Sequence, residues 1–304
     1  MTSYQDALCD LALADERFVV LTAENRAAIR RLPEALGDRF VDVGIAEQTL
    51  VGASAGLALR GRVPVAHALA SFLTMRPFEF IRTDVGIPRL PVKLVGAVPG
   101  LLSEANGPTH QALEDVALMR GIPNMGIFCP ADEEDLLAGL EAVLRADRPF
   151  YIRFNTRRPV VRHHRPLRLG RAEHVFVGTD VAILTYGTLF TEAYEAALRL
   201  ESGGLSVWLL NLRTLKPLDE DAILEAVGAT KLVVTIEDHF LSGGLYTMVA
   251  ELLLGRARTA SVYPIAFEER WFRPGLLPDV LEAEGLSPAQ IAERIEGAWR
   301  ARRR

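Results

Sequence analysis

Cysteine is scarce in this sequence, because only Cys9 and Cys129 occur among 304 residues. Two cysteines cannot form the disulfide framework of a small secreted protein, so the composition favours a reducing compartment. No apolar run reaches the roughly 18 residues that a membrane-spanning helix needs. The first residues, MTSYQDAL, show no basic segment followed by an apolar one, as a secretory signal would. These absences predict a cytoplasmic protein.

A strong net charge is also absent. The formal charge is −5, which gives no electrostatic reason to expect binding to nucleic acid or to an anionic membrane. The chain contains no GxxxxGK(S/T) phosphate loop, no HExxH and no DxDxDG. The SGGL segment at 242–245 precedes a predicted helix and could bind an anion through backbone N–H groups. A simple turn is the competing interpretation of that segment.

What the sequence does contain is a regular alternation of short apolar runs with helical segments. The predicted strands cover 18–24, 41–43, 63–70, 91–98, 125–131, 149–155, 181–187, 205–212, 231–238 and 259–267. Such alternation is typical of parallel sheets with helices on both faces. A basic, proline-containing stretch interrupts it, which predicts domains over 1–157 and 178–304 joined by a linker at 158–177. Each domain is expected to be a three-layer α/β/α unit with a mostly parallel sheet.

The predicted linker contains two adjacent histidines, His163 and His164. Neighbouring side chains in an extended segment point in opposite directions, and no cysteine or acid lies beside them in the sequence. A solvent-exposed linker is therefore predicted here, rather than a metal site.

Glu47 stands at the predicted start of a helix. Small residues predominate in this helix from Gly52 to Ala58. A carboxylate at this place is common, because it interacts favourably with the helix dipole. The alternative is a buried acid that delivers a proton to a heterocyclic nitrogen. Glycine costs a helix about 1 kcal/mol relative to alanine, so the small residues indicate close approach of another backbone or a flat ligand.

Two further features could carry chemistry. Around a helix predicted over 75–85, Phe72, Met75 and Phe78 recur at intervals of three, which indicates either core packing or a pocket for a flat aromatic ligand. The loop GLLSEANGPTHQ (100–111) places His110 at the entry of the next helix. A histidine that a rigid turn presents in this way is a functional candidate.

Taken together, these segments resemble the transketolase group of thiamine-diphosphate enzymes. The first domain carries the resemblance in DVGIAEQ (42–48), SFLTMRPFEFIRTDV (71–85), GPTHQ (107–111) and IPNMGIFCPAD (122–132). The second domain carries it in LRTLKPLD (212–219), VVTIEDHFLSGGL (233–245) and FEERWFRPG (267–275). The resemblance spans essentially the whole chain and implies a pyrimidine-binding domain followed by a transketolase C-terminal domain. Deoxyxylulose phosphate synthase shares much of this pattern.

The resemblance implies a role for each candidate residue. Glu47 matches the glutamate that hydrogen-bonds the pyrimidine ring nitrogen N1′, and it is the expected catalytic residue. Phe72 is the expected stacking ring. The pocket that packs the cofactor is expected to comprise Ile45, Phe72, Met75 and Phe78. The residues expected to contact the substrate's hydroxyls or phosphate are Asn106, His110 and Arg153.

The resemblance also implies a partner. Full-length transketolases begin with a domain whose GDG motif and downstream asparagine hold Mg²⁺ and the diphosphate, and this sequence has no GDG. The chain is therefore expected to be one half of a split enzyme, with the Mg²⁺ ligands on an N-terminal diphosphate-binding subunit. Two copies of each subunit, a heterotetramer, are expected, and the helix of small residues suits their interface.

Several positions depart from the usual transketolase pattern. Asn106 replaces an aspartate, Val98 replaces a histidine, and Ala27 or Ala28 falls where a serine is usual. A site with hydrogen-bonding groups for a substrate hydroxyl strongly rejects analogues that lack this hydroxyl. When those groups are lost, the rejection becomes weaker. We therefore expect two-carbon ketol transfer with an unusual donor or acceptor. The alternatives are the β subunit of a 2-oxoacid dehydrogenase E1 and a non-catalytic, degenerate subunit.

Overall fold

The structure is a computed structural model that describes residues 3–302. The strands are β1 (Phe18–Thr22), β2 (Phe40–Asp42), β3 (Val63–Leu69), β4 (Lys93–Ala97), β5 (Gly126–Phe128), β6 (Phe150–Phe154), β7 (Glu173–Phe176), β8 (Val181–Thr185), β9 (Val207–Asn211), β10 (Thr214–Lys216), β11 (Leu232–Phe240) and β12 (Val262–Phe267). The helices are α1 (Tyr4–Ala14), α2 (Leu32–Leu36), α3 (Glu47–Leu59), α4 (Ala70–Met75), α5 (Phe78–Phe80), α6 (Asp115–Arg120), α7 (Glu133–Leu144), α8 (Phe190–Ser202), α9 (Glu220–Ala229), α10 (Leu245–Gly255), α11 (Leu277–Ala283) and α12 (Pro288–Ala301). Shorter helical turns cover Gly37–Arg39, Ile81–Gly86, Leu101–Thr109 and Gly187–Leu189. Between residues 3 and 302, no helix combines the length and the apolar character needed to cross a bilayer.

The strands form two mostly parallel sheets. The first has the order β10-β5-β6-β4-β3-β1-β2, and the second has the order β12-β11-β8-β9-β7. Neighbouring strands are parallel except at two edges, where β10 pairs antiparallel with β5 and β7 pairs antiparallel with β9. This arrangement confirms the predicted α/β class.

Successive residues of a central strand enter different apolar cores. In β1, Val19 and Leu21 join one core and Val20 joins another, because side chains alternate across a strand. Burial on both faces explains why the parallel strands appear in the sequence as unbroken apolar runs. Since β1, β3, β4 and β6 are parallel neighbours, their carboxyl ends meet at one edge of the first sheet.

Two local predictions differ from the structure, and one strand pairing was not predicted. The helix predicted over 75–85 is interrupted, because α4 ends before Pro77 and α5 begins after it. The stretch predicted as a linker contributes β7 to the second sheet. The second half of the chain also returns β10 to the first sheet, so the two units share one sheet edge.

The prediction of solvent exposure is wrong for His163. Its side chain is 0 % exposed, with Nε2 2.7 Å from Asp132 Oδ2 and Nδ1 2.7 Å from Glu173 Oε2. Burial by itself lowers the pKa of His163, but hydrogen bonds to the two carboxylates and the nearby charge of Asp135 outweigh it and raise the pKa to about 10. The ring is therefore a buried imidazolium that joins α7 of the first unit to β7 of the second. His164 is exposed, as predicted.

Candidate active site

The carboxylate of Glu47 is buried at the first residue of α3, and only 3 % of the residue is exposed. Arg76 Nη1 donates to both of its oxygens, at 3.1 Å each. Arg76 follows the last residue of α4, so two separate helices meet at this ion pair. The structure therefore contains the buried acid that the sequence offered as one alternative, together with an arginine that was not predicted.

Arg76 also connects Glu47 to the aromatic residues. Its guanidinium carbon lies 3.8 Å from the centroid of the Phe72 ring, which is a cation–π contact. The Phe72 ring meets the His110 ring edge to face, with the centroids 4.9 Å apart. Glu47, Arg76, Phe72 and His110 thus form one line of contacts, which we call the acid–ring line. Arg76 was not predicted, although it lies four residues after Phe72, a spacing that places two side chains on the same side of a helix.

The other predicted pocket residues are not part of the acid–ring line. Phe78 lies beyond Pro77 and packs, half-buried, against the apolar core that includes α3. Met75 is exposed, and Ile45 is 72 % exposed in the turn before Glu47. Exposed apolar side chains on the segments that adjoin Glu47, which we call the apolar rim, are Ile45, Met75, Phe80 and Ile87.

The loop at 100–112 carries His110 and Asn106. Its two ends are joined by backbone hydrogen bonds in both directions between Gly100 and Ala112, at 3.1 and 3.3 Å. His110 is half-buried, with Nδ1 2.9 Å from the Thr109 hydroxyl, and Asn106 is exposed. The structure thus brings His110, but not Asn106, to the acid–ring line.

Arg153 does not face a substrate site. Only 1 % of it is exposed, and its guanidinium contacts Asp115 Oδ2 at 2.9 Å and Asp238 Oδ1 at 2.7 Å. The Tyr151 hydroxyl donates to the same Asp115 oxygen at 2.6 Å. An interior guanidinium with two carboxylate partners is not accessible to a substrate phosphate, so the structure corrects the phosphate-binding role expected for Arg153.

A cavity of about 950 Å³ opens at the carboxyl ends of β1, β3, β4 and β6. It brings together three of the positions that depart from the usual pattern, namely Ala27, Ala28 and Val98. Val98 has a φ of +47°, which is a strained backbone for a β-branched residue and is most often found at functional sites. Asn106 is not among the residues that line this cavity.

Three arginines also line the cavity wall. Arg31 forms an ion pair with Asp6, and Arg157 holds both carboxylate oxygens of Glu192 at 2.8 Å each. Within residues 3–302, Arg30 has neither an ion-pair partner nor a hydrogen-bond partner. The cavity therefore contains one exposed cation that is available to an anion.

The SGGL segment does not offer a free helix N-terminus. The Glu237 carboxylate accepts hydrogen bonds from the backbone N–H groups of Leu245 at 2.6 Å and Tyr246 at 2.9 Å. Burial raises the pKa of Glu237 to about 8. The chain's own side chain thus takes the place that an anion would occupy, which agrees with the turn interpretation.

Comparison with known proteins identifies two families and close relatives. Residues 1–159 match the transketolase pyrimidine binding domain, and residues 170–291 match the transketolase C-terminal domain. The 6-deoxy-6-sulfo-D-fructose transketolase subunit SqwH of Clostridium sp. (strain MSTE9) is 36 % identical over 294 residues, which cover 95 % of this chain and 91 % of that protein. A 1-deoxy-D-xylulose-5-phosphate synthase of Synechococcus sp. (strain JA-2-3B'a(2-13)) is 36 % identical over 304 residues, with 97 % of this chain covered. The chain spans about half the length of that enzyme, since the match covers 47 % of it.

Solved structures show the same relationship. A structure described as a split gene transketolase, an inactive beta4 tetramer, has a TM-score of 0.86 and 33 % identity, and the match covers 97 % of this chain and 96 % of that one. The transketolase of Pichia stipitis with sedoheptulose 7-phosphate has a TM-score of 0.77 at 16 % identity over 96 % of this chain and 44 % of that one, which shows the fold alone. The family matches, the nearly full-length relatives and the shared fold agree, and the chain belongs to the transketolase family.

Proposed function

We propose that this chain is one subunit of a split transketolase, which transfers a two-carbon ketol unit from a ketose to an aldehyde when it is joined to a diphosphate-binding subunit. The observation that carries this proposal is the acid–ring line, in which a buried carboxylate, an aromatic face and a loop histidine follow one another. A relative of nearly the same length, SqwH, is named as a transketolase subunit, which supports a two-chain enzyme.

Membership of the family implies dependence on thiamine diphosphate, and the residues present fit its pyrimidine ring. A buried carboxylate at Glu47 can hydrogen-bond a ring nitrogen, and Phe72 offers a face for stacking. The Ser71 hydroxyl and the Gln111 amide are buried without a hydrogen-bond partner in the described part of the chain. Buried polar groups are rarely left unpaired, so these two neighbours of Phe72 and His110 are available to a ligand. When bound, thiamine diphosphate supplies the electron sink that lets a ketose carbon–carbon bond break.

The residues of this chain would divide the remaining tasks. Glu47 holds a proton at the ring nitrogen, for which Arg76 has to release at least one carboxylate oxygen. The Arg76 side chain is 42 % exposed, so it is free to swing outward and to uncover the Phe72 ring as it does so. His110, at the edge of that ring, is placed to contact the hydroxyl groups of the substrate.

We infer that the diphosphate and its Mg²⁺ are held by the partner subunit, in a heterotetramer with two copies of each chain. The apolar rim lies on segments near Glu47, and exposed large apolar side chains commonly mark an interface. On α3, a β-carbon placed at Gly52 or Gly56 would meet no atom within 4 Å, which leaves room for the close approach of another chain. The related beta4 tetramer is described as inactive, which is in line with a need for a second kind of subunit.

Calorimetric titration of thiamine diphosphate with Mg²⁺ tests this proposal. We expect binding by the mixture of this chain with its diphosphate-binding partner, and no tight binding by either chain alone. Tight binding by this chain alone would show that the diphosphate site lies within it. Absence of binding by every combination would favour the degenerate-subunit alternative.

We further propose that the ketose is an unusual one and carries an anionic group at the end remote from its carbonyl. Arg30 in the 950 Å³ cavity is the available cation, and the relative SqwH is named for a sulfonated ketose. We expect Arg30→Ala to lower kcat/KM for a ketose phosphate or ketose sulfonate at least about tenfold, since a hydrogen bond to a charged group contributes about 1.5–3 kcal/mol. Arg258→Ala, which removes the same charge from an exposed position outside the cavity, is the matched control.

Two results would contradict this substrate proposal. One is an equal response of the Arg30 and Arg258 variants. The other is turnover of xylulose 5-phosphate with ribose 5-phosphate as efficient as in a housekeeping transketolase. The relationship to deoxyxylulose phosphate synthases also makes a decarboxylating donor worth testing, and release of CO₂ from pyruvate would assign that reaction instead.

A further inference from the structure

The second sheet and the helices around it form the second unit of the chain, which we also call the C-terminal unit. The end of its strand β11 contacts the residues that directly follow the 100–112 loop. Its His239 Nε2 accepts a hydrogen bond from the backbone N–H of Ala117 in α6, at 3.2 Å. The backbone N–H of Phe240 donates to the carbonyl oxygen of Leu113, at 2.9 Å. Two consecutive residues of β11 thus hold the chain directly after the loop.

Asp238, the preceding residue, holds both ends of the same loop. Its carboxylate pairs with Arg153, whose Nη2 donates to the carbonyl oxygen of Ala112 at 3.3 Å. At the other end of the loop, Gly100 has a φ of +57° and lies so close to Asp238 that a β-carbon there would overlap the carboxylate. The Gly100–Ala112 closure therefore rests on the buried pair of Asp238 and Arg153.

A third contact supports the middle of the loop. Gly107 has a φ of +70°, and a β-carbon at that position would lie 2.9 Å from Pro274 Cβ. Leu101, inside the loop, and Leu113, directly after it, join the apolar core of the second unit, which also contains Phe272. The FEERWFRPG segment therefore packs against the loop from the C-terminal side.

We propose that the C-terminal unit positions the substrate loop of the active site, with Asp238 and Pro274 as positioning residues that act through Gly100 and Gly107 on His110. This inference rests on the proposed ketol transfer, because it assigns the loop a substrate. Exposed loops are mobile unless other elements hold them, and groups that contact a reacting substrate must be placed within about 0.5 Å. The C-terminal unit supplies that rigidity.

A glycine substitution in the two-chain complex tests the inference. Gly107→Ala places a methyl group against Pro274, and Gly204→Ala is the matched control, since Gly204 has a φ of +90° with no atom within 4 Å of its β-carbon position. We expect Gly107→Ala to lower kcat/KM for the ketose at least tenfold and to change the dissociation constant of thiamine diphosphate less than twofold. A purely structural role would instead lower kcat/KM and raise the apparent dissociation constant of thiamine diphosphate, both by the factor that the unfolded fraction sets.

A double variant isolates the contact itself. If Pro274 positions the loop, adding Pro274→Gly to Gly107→Ala should restore several-fold of the lost kcat/KM, because the facing Cβ is removed. Additive losses, or an unchanged kcat/KM in Gly107→Ala, would overturn the inference while leaving ketol transfer by the wild type intact. Amide hydrogen exchange of residues 100–112 gives a readout without turnover. Exchange in Gly107→Ala should be at least tenfold faster than in Gly204→Ala, and equal rates would overturn the inference even if the wild type shows no ketol transfer.

Discussion

His163→Gln should destabilise the protein far more than its position in a basic, proline-containing stretch implies. The imidazole lies between Asp132 and Glu173 at 2.7 Å on each side and is closed off from solvent. Glutamine keeps one donor but removes the positive charge, so two buried carboxylates are left facing each other. Removing one partner of a buried ion pair typically costs about 3–5 kcal/mol.

The pKa gives the size of this effect and its sign. In the unfolded chain a histidine has a pKa near 6.5, whereas in the fold the pKa of His163 is about 10. Because the folded pKa is the higher one, the stabilisation is complete below pH 6.5 and is lost as the pH rises toward 10. Linkage then gives about 4 kcal/mol at pH 7 and less than about 1 kcal/mol at pH 10.

Urea unfolding of the wild type and the variant at several pH values measures this difference directly. At pH 7 we expect a loss of about 4 kcal/mol, which corresponds to a fall in Tm of about 8 °C for a chain of this size. The gap should close as the pH approaches 10. His164→Gln, the exposed neighbour, should change stability by less than about 0.5 kcal/mol. A gap that stays constant from pH 7 to pH 10 would refute a buried imidazolium.

Three further outcomes follow from the structure. Glu47→Gln should lower kcat of the complex at least about a hundredfold without changing Tm by more than a few degrees, because a positioned acid contributes about 10²–10⁴ in rate. Glu237→Gln should flatten the pH dependence of stability, since burial raises the pKa of Glu237 to about 8 and the wild type therefore loses stability as the pH rises from about 5 through 8; urea unfolding at pH 6 and pH 9 checks it. Gly100→Ala should lower the free energy of unfolding by more than about 3 kcal/mol, because its β-carbon overlaps the Asp238 carboxylate at a φ of +57°.

The sequence predicted most of the central strands because each is buried on both faces and is therefore apolar throughout. β7 and β10 were missed for a different reason. Thr214–Lys216 forms a strand only because it reaches β5, more than 80 residues earlier in the chain, and Glu173–Phe176 is an edge strand with a partly exposed face. Edge strands depend on a distant partner rather than on a local pattern, so hydrophobic periodicity does not identify them.

Charged residues show the same limit. His163 seemed to lack an acidic partner, yet Asp132 lies 31 residues earlier and meets it through the fold. Arg153 seemed free to bind a phosphate, yet Asp238 lies 85 residues later and neutralises it. The contact of Arg76 with Phe72 could have been predicted from the sequence, because the two residues are only four apart. The ion pair of Arg76 with Glu47 could not, because it joins two separate helices. Local spacing predicts such ring contacts, but partners across elements appear only in three dimensions.

The candidate site has two halves, one around Glu47 and one around His110, and different parts of the protein complete them. The Glu47 half lies beside the apolar rim and an open glycine face, and we propose that another chain completes it. The His110 half is completed within the chain, because Asp238 and Pro274 of the C-terminal unit hold its loop. Separating the subunits should therefore abolish cofactor binding and leave the hydrogen-exchange protection of residues 100–112 unchanged. If that protection disappeared with the partner, the loop would owe its order to the interface rather than to the C-terminal unit.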